Sequence, residues 1–150
     1  ELNDRVIKVK TAISDYEGKA VLNFRFACDE MATLDKNTHS DYSEEVPVTT
    51  INSFSKKRGI ESVDFIKIDT EGFEKEVLAG LGQLKPKYVQ LEFNINHLQR
   101  DHTFLEISRL LPGYVFYRLL PNGWLKIDPA KYLSNIYIFS NIIAVRNDVN

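Results

Sequence analysis

Hydrophobic and polar positions divide the chain into short runs with alternating character. Val6-Ile-Lys-Val9 is β-branched and reads as a strand leading into Thr11-Ala-Ile-Ser-Asp15. Glu17-Gly18 supplies a turn, after which Leu22, Phe24 and Phe26 alternate with polar neighbours as a half-exposed strand over Val21–Ala27. Asp29 to Glu45 is mostly polar and predicts a loop, long enough to be either functional or disordered. Val46 to Thr50 predicts a short strand, and Ile51 to Arg58 an amphipathic helix ended by Gly59. Val63-Asp-Phe-Ile-Lys-Ile-Asp69 is a largely apolar strand followed by Thr70-Glu71-Gly72. The next helix puts Phe73, Val77, Leu81 and Leu84 on one stripe, and Gly80, Gly82 and Pro86 stop it. Tyr88 to Phe93 is a strand, and Phe104 to Leu111 a helix halted by Pro112-Gly113. Tyr114–Tyr117 and Ile136–Val145 close the chain as strands, with a turn at Pro121-Asn122-Gly123.

Strands alternating with helices through short connections imply parallel pairing. The closing meander adds an antiparallel strand at one edge. The expected fold class is α/β, doubly wound and mostly parallel. About three helices for five or six strands are too few to cover both faces, so part of the cover is missing.

Composition narrows the function classes. With 150 residues the chain suits one domain with a real core, and no repeat or linker divides it. A net charge of −2 gives no electrostatic case for nucleic acid or an anionic membrane. No apolar run approaches the roughly 18 to 20 residues of a membrane span. The single Cys28 excludes an internal disulfide and reads as a small half-buried hydrophobe, in keeping with a cytoplasmic location. The chain starts at Glu1, its only Met is Met31, and no signal-peptide pattern opens it, so it reads as an excised piece.

In an open α/β sheet, ligands bind beyond the carboxyl ends of the strands. Asp69 and Glu71 follow one strand, while Glu92, Asn94, Asn96 and His97 end or follow the next. If these strands are neighbours, Asp69, Glu71, Glu92, Asn94 and His97 share one rim. Such a set could hold a divalent cation or supply a general base. Asp69 favours function, because an acid ending an apolar strand is costly to bury unless paired or bound. Glu74 and Glu76 are expected to be dipole partners of the helix start. The imidazoles of His97, His39 and His102 more often belong to a surface, and Lys67 snorkels at a sheet face.

The block Asp64-Phe-Ile-Lys-Ile-Asp-Thr-Glu-Gly-Phe-Glu-Lys-Glu-Val-Leu-Ala-Gly80 resembles the FkbM-type methyltransferases. Their hallmark is Asp-phi-phi-Lys-Ile-Asp-x-Glu-Gly-x-Glu, phi being apolar, ending in Val-Leu-x-Gly. Ala12-Ile-Ser-Asp-Tyr-Glu-Gly18, Pro86–Asn94, Gly113-Tyr114 and Asn141–Ala144 agree in order. The resemblance implies a Rossmann-like class I sheet and S-adenosylmethionine-dependent methylation of a sugar or natural-product hydroxyl. It implies cofactor contacts at Ala12, Ile13 and Asp69, and catalytic roles for Asp69, Glu71 and His97. More loosely, it implies a divalent cation such as Mg on Asp69, Glu92 and Asn94.

The family's opening strand, glycine-rich turn and acid-ending second strand have no counterpart here, and the seven glycines are scattered. A single domain over 1–150 lacking that segment is therefore expected, binding the cofactor poorly by itself. The missing part would come from an N-terminal segment or a second copy in a homodimer. A contrasting reading is a non-catalytic module that pairs through an open sheet edge at Val6 to Val9. An ATPase is disfavoured, because no G-x-x-x-x-G-K-[ST] is present.

Overall fold

The computed structural model describes residues 5–24, 34 and 41–149. Cys28, Met31, His39 and most of the expected loop lie outside them. The described residues form two sheets. The smaller contains β1 (Ala12–Ile13), β2 (Gly18–Phe24) and β3 (Tyr42–Thr49) in the order β1-β3-β2. The larger contains β4 (Phe65–Ile68), β5 (Tyr88–Phe93), β6 (Tyr114–Leu120), β7 (Gly123–Ile127) and β8 (Ser140–Arg146), in the order β4-β5-β8-β6-β7.

The architecture is mixed α/β, and the mostly parallel expectation is corrected. Only β1 with β3 and β4 with β5 pair in parallel. The other four pairings are antiparallel. β8 does not sit at an edge; it lies between β5 and β6, so the last of the described strands is the middle of its sheet. The expected strand at Val6 to Val9 is absent too. Residues 6–10 carry no ladder and are exposed, and the open parallel edge belongs to β4, where Phe65 is 50% exposed. β3 begins four residues earlier than expected, because Tyr42 stacks on Phe24 across the ladder at 5.9 Å.

Four α-helices appear among the described residues: α1 (Ile51–Lys57), α2 (Glu74–Ala79), α3 (Ile95–Gln99) and α4 (Phe104–Arg109). α2 and α4 cover one face of the larger sheet. Val77, Leu78 and Leu81 meet Leu91, Phe93 and Ile142 there, with Phe104 and Ile107 alongside. Phe104 sits edge-on to both Phe93 and Phe116, at 5.5 and 5.4 Å. α4 starts with a capping box: Thr103 Oγ1 accepts from the Glu106 N–H, and the Glu106 carboxylate accepts from the Thr103 N–H. The Thr103 N–H and the Thr103 hydroxyl, both donating to it, hold the Glu106 carboxyl down at about 2. Thr103→Ala should cost about 1 kcal/mol, read as a lower urea midpoint with unchanged slope.

The end of α2, which covers the larger sheet, meets the smaller sheet at Gly80. The Ser14 N–H donates to Thr49 O at 3.0 Å, and the Asn52 N–H donates to Gly80 O at 2.9 Å. A Cβ on Gly80 would lie 2.3 Å from Ser14 O and 3.3 Å from Thr50 Cβ. Only glycine lets the end of α2 approach the smaller sheet this closely.

Candidate functional site

The β4–α2 turn aims acids at a cleft between the sheets. β4 ends at Ile68, and Asp69 follows at the strand's carboxyl end. Glu71 and Gly72 both take left-handed conformations, φ 54° and 101°. Gly72 is constrained further, since a Cβ there would lie 3.1 Å from both Arg100 Cδ and Asn96 Cβ. This turn brings Glu71 against α3, where the Asn96 amide donates to its carboxylate at 2.9 Å.

One carboxylate oxygen from each of Asp69, Glu71 and Glu92 lies within 4.8 Å of the others. β5, parallel to β4, carries Glu92 to the same rim. Burial raises the Glu92 carboxyl, neighbouring Asp69, Glu71 and Glu74 add to the rise, and the Asn94 amide opposes it. Burial also raises Glu71, reinforced by Asp69 and Glu74. Lys67 forms an ion pair with Asp69.

Asp69 borders two hollows. One, of about 410 Å³, is walled by Ala12, Ile13, Leu22, Val46 and Phe73. The other, of about 670 Å³, runs beside β4 past Ile51, Phe54 and Ile66. Both volumes fall in the range of small-molecule sites. Arg100 backs the first, its guanidinium carbon 3.6 Å from the Phe73 ring centroid.

The structure brings Ala12, Ile13, Asp69, Glu71 and Glu92 to this region, keeps Asn94 beside Glu92 and sets His97 back from the cleft. Asn94 sits against the acid cluster, tied to one of its members. Its amide donates to Glu92 at 2.7 Å, and its carbonyl accepts from the Asn96 N–H at the start of α3. His97 is not at the rim but fully buried. Its Nδ1 accepts from the Asn94 N–H, and its Nε2 lies 2.9 Å from Glu74, close but not aligned as a hydrogen bond. That ring has no face open to solvent.

Glu74 is likewise more than a dipole partner. It is fully buried, and it also accepts from the Thr70 N–H at 2.9 Å. Burial alone would raise its carboxyl, but His97 and the Thr70 N–H outweigh this and hold it below the ordinary range. Glu76 pairs with Arg100, and His102 is buried nearby. Phe73 escaped notice as a cleft wall because its spacing also fits the core stripe. Its place directly after Gly72, at the mouth of α2, was the available signal.

These features define an α/β protein with an apolar cleft bordered by Asp69 at a strand tip, with the Glu71 and Glu92 carboxylates close to it. Residues 3–117 match the methyltransferase FkbM domain, which is more than half of the chain. The chain belongs to the FkbM methyltransferase family. No curated protein and no solved structure matches it significantly. Among the described residues, no helix is long and apolar enough to cross a membrane.

Proposed function

We propose that this chain uses S-adenosylmethionine to methylate a hydroxyl of a sugar or natural product, in the cytoplasm, with Asp69 at the reacting centre. The observation that carries this reading is Asp69 itself, which lines both hollows while clustering with Glu71 and Glu92. The parallel β4–β5 pair, joined through α2, supports reading the larger sheet as part of a Rossmann-like class I methyltransferase sheet.

S-adenosylmethionine supplies a methyl group on a positively charged sulfur beside a flat apolar ring. The residues present fit both features. Carboxylates at 69, 71 and 92 offset a cation, while Ala12, Ile13, Val46 and Phe73 accept a ring and exclude water. Asp69, or Glu71 with its raised carboxyl, takes the proton of the acceptor hydroxyl as the oxygen is methylated. His97 is a positioning residue that holds Asn94 and Glu74. A divalent cation such as Mg would sit on Asp69, Glu71 and Glu92, with Asn94 orienting Glu92.

The test is calorimetric titration of the full-length protein and its Asp69→Asn variant with two ligands. S-adenosylmethionine carries the cation; S-adenosylhomocysteine lacks it. Asp69→Asn should weaken the first at least about tenfold, as loss of a charge-assisted contact does, and leave the second nearly unchanged. Equal weakening of both, or none, would sink the assignment.

The open edge of β4, with Phe65 exposed, favours a second reading: a non-catalytic module that pairs edge to edge in a homodimer. A tight dimer by size exclusion that binds neither ligand would favour it.

A further inference from the structure

Arg118 is a buried cation without a counter-ion among the described residues. It lies on β6, on the helix-covered face with Phe116, and is 8% exposed. Its Nη1 donates to Ser140 Oγ at 2.6 Å and its Nη2 to Ser134 O at 3.4 Å. Both acceptors are neutral, and among the described residues no carboxylate pairs with it. A guanidinium offers five N–H groups in a planar fork and keeps its charge in any protein setting. Removing it from water is costly unless an anion joins it.

The space beside it is shaped for such an anion. A hollow of about 560 Å³ opens at Arg118, with walls from Leu125, Ile127, Leu133, Ile136 and Ile138. Lys126 and Lys131 also line it. The acid there, Asp128, lends Oδ1 to the Ala130 N–H and its backbone O to Ser134 Oγ. The segment forming the outer wall is pinned in place. Asn135 accepts from the Phe104 N–H at 2.8 Å, and the Tyr137 hydroxyl donates to His102 O at 3.1 Å. Leu133 and Ile138 remain 59% and 63% exposed at the lip. Apolar side chains left open beside a buried cation call for an occupant with an apolar body.

We propose that this pocket binds a carboxylate with an apolar tail, the head forked by Arg118 and the tail lying along Leu125, Leu133 and Ile138. One buried guanidinium balances one negative charge, and its fork matches the two oxygens of a carboxylate. The pocket shares no lining residue with the hollows at Asp69. Its residues, Arg118 to Ile138, lie beyond the stretch matched to the FkbM family. The inference is therefore independent of the methyl-transfer reading.

Calorimetric titration of the full chain with decanoate, decanol and acetate tests it. Decanoate should bind saturably, with decanol and acetate each at least tenfold weaker, because the head and the tail are both required. Arg118→Gln should lower decanoate affinity at least tenfold and leave decanol unchanged. Because a buried substitution can disturb folding, Leu133→Asp at the exposed lip is the companion variant. It should keep the parent's melting temperature and still weaken decanoate tenfold. No saturable decanoate binding, decanol binding as tightly as decanoate, or full decanoate affinity in Leu133→Asp would each overturn the proposal.

Discussion

Replacing Glu74 with alanine is expected to destabilise the protein by about 2–6 kcal/mol, about 1–3 for each of the two buried donors left unpaired. Glu74 and His97 are both fully buried, at 2.9 Å, and the Thr70 N–H leans on the same carboxylate. Alanine leaves the imidazole Nε2 and that N–H facing a void. Glu74→Gln keeps an acceptor oxygen and should lose less, about 1–3 kcal/mol. Urea unfolding at neutral pH separates the two, and an alanine variant within 1 kcal/mol of the parent would refute the role. The same region sets the acid limit. Burial lowers the His102 imidazole despite the pull of Glu76, and Lys75, Arg100 and His97 add to the lowering. His102 therefore binds its proton less readily folded than unfolded, and stability falls as pH drops below its ordinary value of 6.5. Glu74 is also held low, so a second loss begins below 4.5 and continues through its folded value. In Glu74→Ala that second loss should shrink to what Glu106 and Glu17, also held low, still contribute, while the first remains.

Gly80→Ala is expected to lower stability by about 3 kcal/mol, the upper part of the range for overpacking a tight contact. The added carbon would lie 2.3 Å from a backbone oxygen, Ser14 O, which has no rotamer by which to yield. Gly80 has φ −79°, so alanine itself is conformationally at ease there. Glycine-to-alanine exchange gains at most about 1 kcal/mol in helix propensity, which cannot offset the clash. The consequence reaches the cleft, because Ser14 directly follows the Ala12–Ile13 wall. The melting temperature should fall by roughly 6–12 °C, and S-adenosylmethionine affinity should fall with it. An unchanged melting temperature would show that the end of α2 does not press on the smaller sheet at Gly80.

Much of this was legible from residues close in sequence. The apolar run ending at Asp69, the glycines after α2 and the Pro121-Asn122-Gly123 turn each set a local element, and those elements are present. What escaped depended on distant partners. Val6 to Val9 has strand chemistry, but no described strand pairs with it, so it carries no ladder. Nothing near residue 140 announces that β8 will enter between β5 and β6. His97 looked like a surface imidazole because the acid that buries it lies on another helix. Its spacing from Asn94 did carry a signal, since cap and third helical position are three apart, and that is the box that starts α3.

The central place of β8 also bears on synthesis. A nascent chain that has emerged only as far as residue 139 has made β5 and β6 but holds nothing to join them. Each then exposes a bare row of amides and carbonyls, which is when foreign strands compete best. The larger sheet closes only when Ser140 to Arg146 arrive, so its two halves wait on β8 to join them.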